Sequence, residues 1–248
     1  MKKTLVALSL AALTVPVLAQ DKKAPEPDYT LSGNFGLFSD YRFRGISQTD
    51  LAPALQGGID FAHKSGFYLG TWGSNVSEFA NVNGNGMEID FYAGYKFAIG
   101  NVGIDVGNLY YYYPDATGTD PDTNEVYVGL SYGPVSLKTS YTTTKNYFTT
   151  ANADGTLYYD LKASFPISEG LTLNAHAGYN DIKNSLTGAD YSIGIAKDLA
   201  GWSLAANYVW NSGAIRDSVK TTDVDGTAGT KTEDLGKGAV VVSISKTF

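Results

Sequence analysis

Residues 239–248 read AVVVSISKTF. Val240, Val242 and Ile244 alternate with Ala239, Val241, Ser243 and Ser245, so one side of this run suits an apolar medium and the other is more polar. Side chains of a strand point to opposite faces with period two, so such a run is a β-strand with two different environments. An alternating strand closed by an aromatic residue, here Phe248, is the pattern of a transmembrane β-barrel of the bacterial outer membrane.

The other end of the chain agrees. Lys2 and Lys3 precede an apolar stretch from Leu5 to Leu18, and Val17-Leu18-Ala19 forms a cleavage-type site. Residues 1–19 therefore read as a secretory signal peptide, with the mature chain starting at Gln20. Export and an outer-membrane strand together predict location in the outer membrane of a Gram-negative bacterium.

Beyond Ala19 the chain carries 16 basic and 25 acidic side chains, a net charge of −9, and no basic stripe, which excludes nucleic acid as a partner. There is no cysteine, so an exported chain must be held without disulfides, as a closed ladder of strand hydrogen bonds does. The 18 Tyr, 11 Phe and 28 Gly make a β-rich and turn-rich mixture. After the leader no apolar run approaches the roughly 20 residues of a spanning helix, so any membrane crossing is made by strands.

Residues 20–28, with Lys22, Lys23, Pro25, Glu26 and Pro27, form a charged, proline-broken periplasmic lead. From Tyr29 to Phe248 about twelve alternating segments of roughly ten residues follow. They begin near Tyr29, Ala54, Phe67, Met87, Val102, Asn124, Val135, Thr156, Leu171, Asp190, Trp202 and Gly238. Tight turns near His63–Gly66, Gly100-Asn101, Gly133-Pro134, Pro166–Gly170 and Asp198–Gly201 take turns with long polar loops near Gly45–Pro53, Val76–Gly86, Pro114–Thr123, Thr144–Gly155, Asn180–Ala189 and Ser212–Lys237. The fold class is thus all-β: an antiparallel up-and-down barrel with short periplasmic turns and long extracellular loops. Aromatic residues at strand ends, among them Tyr29, Phe67, Phe97, Tyr141, Tyr179, Trp202 and Trp210, suit interfacial girdles.

Alternation also assigns faces. A basic side chain facing lipid at mid-bilayer costs roughly 2–4 kcal/mol, so charged residues belong in the lumen. Met87, Ile89, Phe91, Ala93, Tyr95 and Phe97 then face lipid while Glu88, Asp90 and Lys96 face inward. The same rule turns Asp60, Asp105, Lys138, Asp160, Lys162 and His176 inward. Lys96 and Asp105, across the turn at Gly100-Asn101, form a cross-strand ion pair, and that register sets Gly94 opposite Gly107 with a small lateral gap. Glu88 and Asp90, at the outer end of their strand, draw cations to the mouth.

Residues 39–76, SDYRFRGISQTDLAPALQGGIDFAHKSGFYLGTWGSNV, resemble the opening signature of the TorF-type porins, the proteobacterial Gcw_chp outer-membrane family. The resemblance implies a barrel with an assumed pore; it brings no settled substrate and no catalytic residues. Lys246 departs from the apolar residue common at that place near the end of such chains. Within the motif, Tyr41–Gly45 ends the first strand, with Arg42 and Arg44 on one face. With Asp40 and Asp50 nearby, these arginines either staple the first external loop or line the mouth as a cationic patch.

Enzyme chemistry finds no foothold. Of two histidines, His63 falls at a periplasmic turn and His176 in mid-strand, neither beside a nucleophile motif. Asp115, Asp120, Asp122 and Glu125 crowd the third external loop and Asp223 and Asp225 the sixth, without the ligand spacing of a calcium loop. They read as solvated acids, with divalent bridging to lipopolysaccharide as the alternative. No cofactor or metal is called for. A barrel of about eight strands is filled by side chains and one of about sixteen is open, so about twelve leave a narrow lumen for small hydrophilic solutes. A closed adhesion or structural barrel with partner-binding loops, or an outer-membrane hydrolase, are the rival readings. The expected partners are outer-membrane lipid, lipopolysaccharide and, through the strand ending in Phe248, the barrel-assembly machinery.

Overall fold

The computed structural model describes residues 27–77, 86–114, 116–118, 120–185, 187–212, 217–222 and 228–248. The leader, most of the lead, Asp115, Asp223 and Asp225 lie outside the described residues.

Sixteen strands are described: β1 Tyr29–Phe38, β2 Arg42–Phe43, β3 Ile46–Ser47, β4 Ala54–His63, β5 Phe67–Asn75, β6 Met87–Ile99, β7 Val102–Tyr112, β8 Thr123–Tyr132, β9 Val135–Thr142, β10 Leu157–Ser168, β11 Leu171–Asp181, β12 Gly188–Leu199, β13 Trp202–Asn211, β14 Asp217–Thr222, β15 Ala228–Glu233 and β16 Ala239–Thr247. Twelve of them form a closed barrel in the order β1-β16-β13-β12-β11-β10-β9-β8-β7-β6-β5-β4. Each begins within two residues of the start that alternation predicts. The two remaining pairs, β2–β3 and β14–β15, are separate hairpins within the first and last long loops, and neither is foreseen by the period-two pattern of spanning strands.

The tight turns follow from left-handed backbone. Gly100 and Gly133 have φ near +60°, and Ala200 and Gly201 are both positive, the conformation that matches a two-residue turn to strand twist. One turn is shorter than Pro166–Gly170: β10 continues to Ser168, and its register shifts between Pro166 and Ser168. Proline has no N–H for the ladder, so the strand bulges there without ending. A larger correction concerns the first strand, which stops at Phe38 and not at Gly45. Residues 39–53 turn back into the barrel.

The wall is apolar outside and polar inside. Leu31, Phe91, Val128, Leu161, Ile193 and Val242 are exposed, whereas Glu88, Asp90, Glu125, Asp160 and Asp190 are buried. So large a continuous apolar exterior is the inverse of a water-soluble surface and complements hydrocarbon. Phe67, Tyr132, Phe165 and Phe248 stand exposed at the tight-turn rim, and Tyr141 and Tyr179 at the long-loop rim. Lys246 shares the outer face with Val242 and Ile244, at the tight-turn end, where its Nζ lies 5.1 Å from the centre of the Trp202 ring. A long cationic stem over an interfacial aromatic is tolerated at that depth.

Closure joins β1 to β16 from Phe38↔Ser243 to Asn34↔Thr247. Beyond the last of these pairs, Phe248 N donates to Gly33 O at 2.9 Å and Gly33 N donates to Phe248 O at 2.8 Å. Deleting Phe248 removes both bonds, each worth about 0.5–1.5 kcal/mol. The refolded barrel is expected to lose about 1–3 kcal/mol in urea unfolding, and an unchanged midpoint would show that this seam contributes nothing.

Candidate functional site

The lumen is organised by the segment 39–53. Arg44 (φ +48°) and Gly45 (φ +78°) both adopt left-handed backbone and make the two-residue turn between β2 and β3. A Cβ on Gly45 would stand 2.8 Å from Asp190 Cβ and 3.0 Å from Trp210 O, so only glycine lets the tip rest against the β12–β13 wall. At the base, Asp40 accepts from Arg42 Nε at 2.5 Å and from Ser47 Oγ at 2.6 Å. Arg42 Nη1 donates to the carbonyl of Leu235 at 2.7 Å, tying the hairpin to the last loop. Arg42 is therefore a loop staple.

Arg44 is not. It crosses to the far wall, where Nη2 donates to both oxygens of Glu125 at 2.8 and 2.9 Å and Nη1 to Tyr147 Oη at 2.6 Å. Its guanidinium lies 4.0 Å from the centre of the Tyr158 ring. Burial alone would lower its pKa, but Glu125 together with the phenols of Tyr147, Tyr111 and Tyr158 outweighs that and holds the guanidinium well above its ordinary value. The neighbouring Phe43 stands edge-on to Tyr111 at 5.6 Å and to Phe148 at 5.4 Å, and Asn180 Nδ2 donates to Tyr147 Oη at 2.7 Å. Thus the first and fourth loops close on each other inside the outer half of the barrel.

The wall from β4 to β8 is acidic, and phenols hold it. Glu88 is 1% exposed and accepts from Tyr41 Oη at 2.8 Å and Tyr113 Oη at 2.9 Å. Burial, then Glu88, push the Tyr41 phenol well up, which keeps it a donor. Asp90 is 8% exposed and its Oδ1 has no partner among the described residues. Glu88 and Asp90 are lumenal, yet both are buried, Glu88 beneath Tyr41 and Tyr113, so neither stands open at the mouth. Asp60 accepts from Tyr92 Oη at 2.5 Å and Asn34 Nδ2 at 3.1 Å. Lys96 lies directly opposite Asp105, with Nζ 4.0 Å from Oδ2, and Gly94 opposite Gly107. No gap remains between those glycines: the phenols of Tyr68 and Tyr127 lie over them and hydrogen-bond to each other.

On the other side, β9 to β12 carry a mixed cluster. Asp160 receives Lys162 Nζ at 2.7 Å on Oδ2 and His176 Nδ1 at 3.0 Å on Oδ1, and His176 Nε2 is 2.6 Å from Asp190 Oδ1. Tyr158 Oη donates to Asp190 at 3.1 Å. Lys138 faces Asp160 across the ladder. Between this wall and the hairpin tip lies a cavity of about 470 Å³ lined by Arg44, Lys138, Asp160, Lys162, His176 and Asn207 among others. Both imidazole nitrogens are occupied by carboxylates, so His176 has none left to activate a serine. His63, at the turn, pairs only locally, Nδ1 with Ser65 Oγ at 2.9 Å. Among the described residues no three carboxylate or imidazole groups converge as a metal site.

Glu125 is the functional residue that loop composition misplaces. It belongs to β8, not to the third loop, and its alternation with Tyr127 and Gly129 is the signal that turns it inward. Removing one partner of a buried ion pair costs about 3–5 kcal/mol. Glu125→Ala should therefore undock the hairpin and make Arg42 and Arg44 cleavable by trypsin added to intact vesicles, whereas wild-type protein resists; equal resistance would show that the pair does not hold the hairpin.

In fold, the chain is similar to the KdgM porin, with a TM-score of 0.52 at 8% identity over 88% of this chain and 99% of that one. The NanC porin is similar to the same degree, with a TM-score of 0.51 at 10% identity over 88% and 99%. Identities this low carry the likeness of fold alone. No curated protein matches the sequence. A family model described as "Bacterial protein of unknown function (Gcw_chp)" matches residues 22–248, essentially all of the barrel and its lead. The chain belongs to the Gcw_chp family of bacterial proteins.

Proposed function

We propose that this protein is an outer-membrane channel of the TorF porin type for passive diffusion of small hydrophilic solutes. The observation that carries the reading is the cavity of about 470 Å³ under the hairpin tip, lined by charged and aromatic side chains inside a wall whose outside is apolar. Lipid and lipopolysaccharide surround the wall in this reading, and the seam strand ending in Phe248 is the segment offered to the barrel-assembly machinery. Selectivity would come from the narrow lumen and its fixed charges. The reading is non-enzymatic, in keeping with the engaged nitrogens of His176.

The depth of the hairpin favours one second reading, a closed barrel whose long loops bind partners. Conductance separates the two. Purified protein in planar bilayers is expected to give discrete channels, and proteoliposomes to swell faster in glycerol than in a trisaccharide. Folded protein without conductance or swelling would establish the closed barrel. In cells the processed chain, cut after Ala19, should fractionate with outer membranes; recovery in the soluble periplasm would end the membrane reading.

A further inference from the structure

We propose that Lys138 anchors a binding site for the carboxylate of a small monoanionic solute in the cavity below the hairpin tip, an inference that rests on the channel reading. Charge pairing around that cavity leaves this ammonium over. Arg42 is paired with Asp40, Arg44 with Glu125, and Lys162 with Asp160. His176 lies between Asp160 and Asp190.

Lys138 has Asp160 opposite it on β10, the natural cross-strand partner. Both oxygens of Asp160 are already taken, one by His176 and the other by Lys162. On the other flank Lys138 faces Gly129 of β8, which has no side chain to offer. Its Nζ lies only over the Tyr127 ring, 5.3 Å from the centre, a weaker contact than a carboxylate would make. Among the described residues lining the cavity, Lys138 is therefore the cation without a carboxylate. Asp90, whose Oδ1 has no partner among the described residues, is buried and does not line this cavity.

An entering carboxylate supplies the missing counter-ion. Lys162, two residues beyond Asp160 on the neighbouring strand, lines the same space while paired with that acid, and Ser192 and Asn207 add a hydroxyl and an amide for the neutral part of the solute. The cavity volume limits the occupant to a small molecule. A cation of the same size meets the ammonium and is repelled.

The test uses the full chain in planar bilayers under a concentration gradient of potassium lactate, with reversal potential as the readout. Wild-type channels are expected to favour lactate over potassium. Lys138→Gln and Lys138→Ala should each lower the lactate-to-potassium permeability ratio about fivefold, the factor one contact ion pair supplies even at the dielectric of bulk water. Lys138→Arg should retain the ratio, and so should Lys246→Gln, which removes the same charge from the outer face. Heat-modifiable migration on gels verifies that each variant is folded. Channels that conduct but keep the wild-type ratio in a folded Lys138→Gln or Lys138→Ala barrel would overturn the site and leave the channel reading standing. Folded wild-type protein that does not conduct would overturn the channel reading, and the site with it.

Discussion

In hydrocarbon no water is present to satisfy a peptide group, so each N–H and C=O of the wall must find its partner in the next strand. That requirement makes the sheet close, and closure of β1 on β16 is what every other feature presupposes. Closed and antiparallel, the wall brings successive strands back and forth, which puts the tight turns on one rim and the long loops on the other. Period-two alternation then separates side chains into a lipid face and a lumen face. Away from the rims, where Lys246 still sits on the outer face, the charged residues of the strands have one place to go.

Concentrating them in a narrow lumen creates a second problem, because a buried charge without a partner is expensive. Two devices meet it. Tyrosines reach across strands to the acids: Tyr92 to Asp60, Tyr68 to Asp105, Tyr41 and Tyr113 to Glu88, Tyr158 to Asp190. The inward hairpin brings Arg44 to Glu125 from the other side of the lumen. The hairpin is held by a few such contacts, whereas the wall is held by continuous ladders, so opening it costs less than opening any strand. A barrel with a rigid wall and one separately held internal element is well suited to controlling what passes.

What this sequence determines by itself is everything that repeats locally. Strand starts, the sides of the wall occupied by Phe91 and Asp90, the alternation of short and long connections, and the opposition of Lys96 and Asp105 across the Gly100-Asn101 turn all follow from period two and turn chemistry, which act over a few residues. Tertiary structure alone decides which way a long loop folds and which partner each charge takes. Arg42 and Arg44 are two residues apart and share a motif, yet one closes on Asp40 beside it while the other reaches Glu125, 81 positions along the chain. Asp160 stands opposite Lys138 in the ladder but gives its oxygens to Lys162 and His176. Such choices depend on the distances between strands brought together only when the barrel closes, and no local pattern in the chain encodes them.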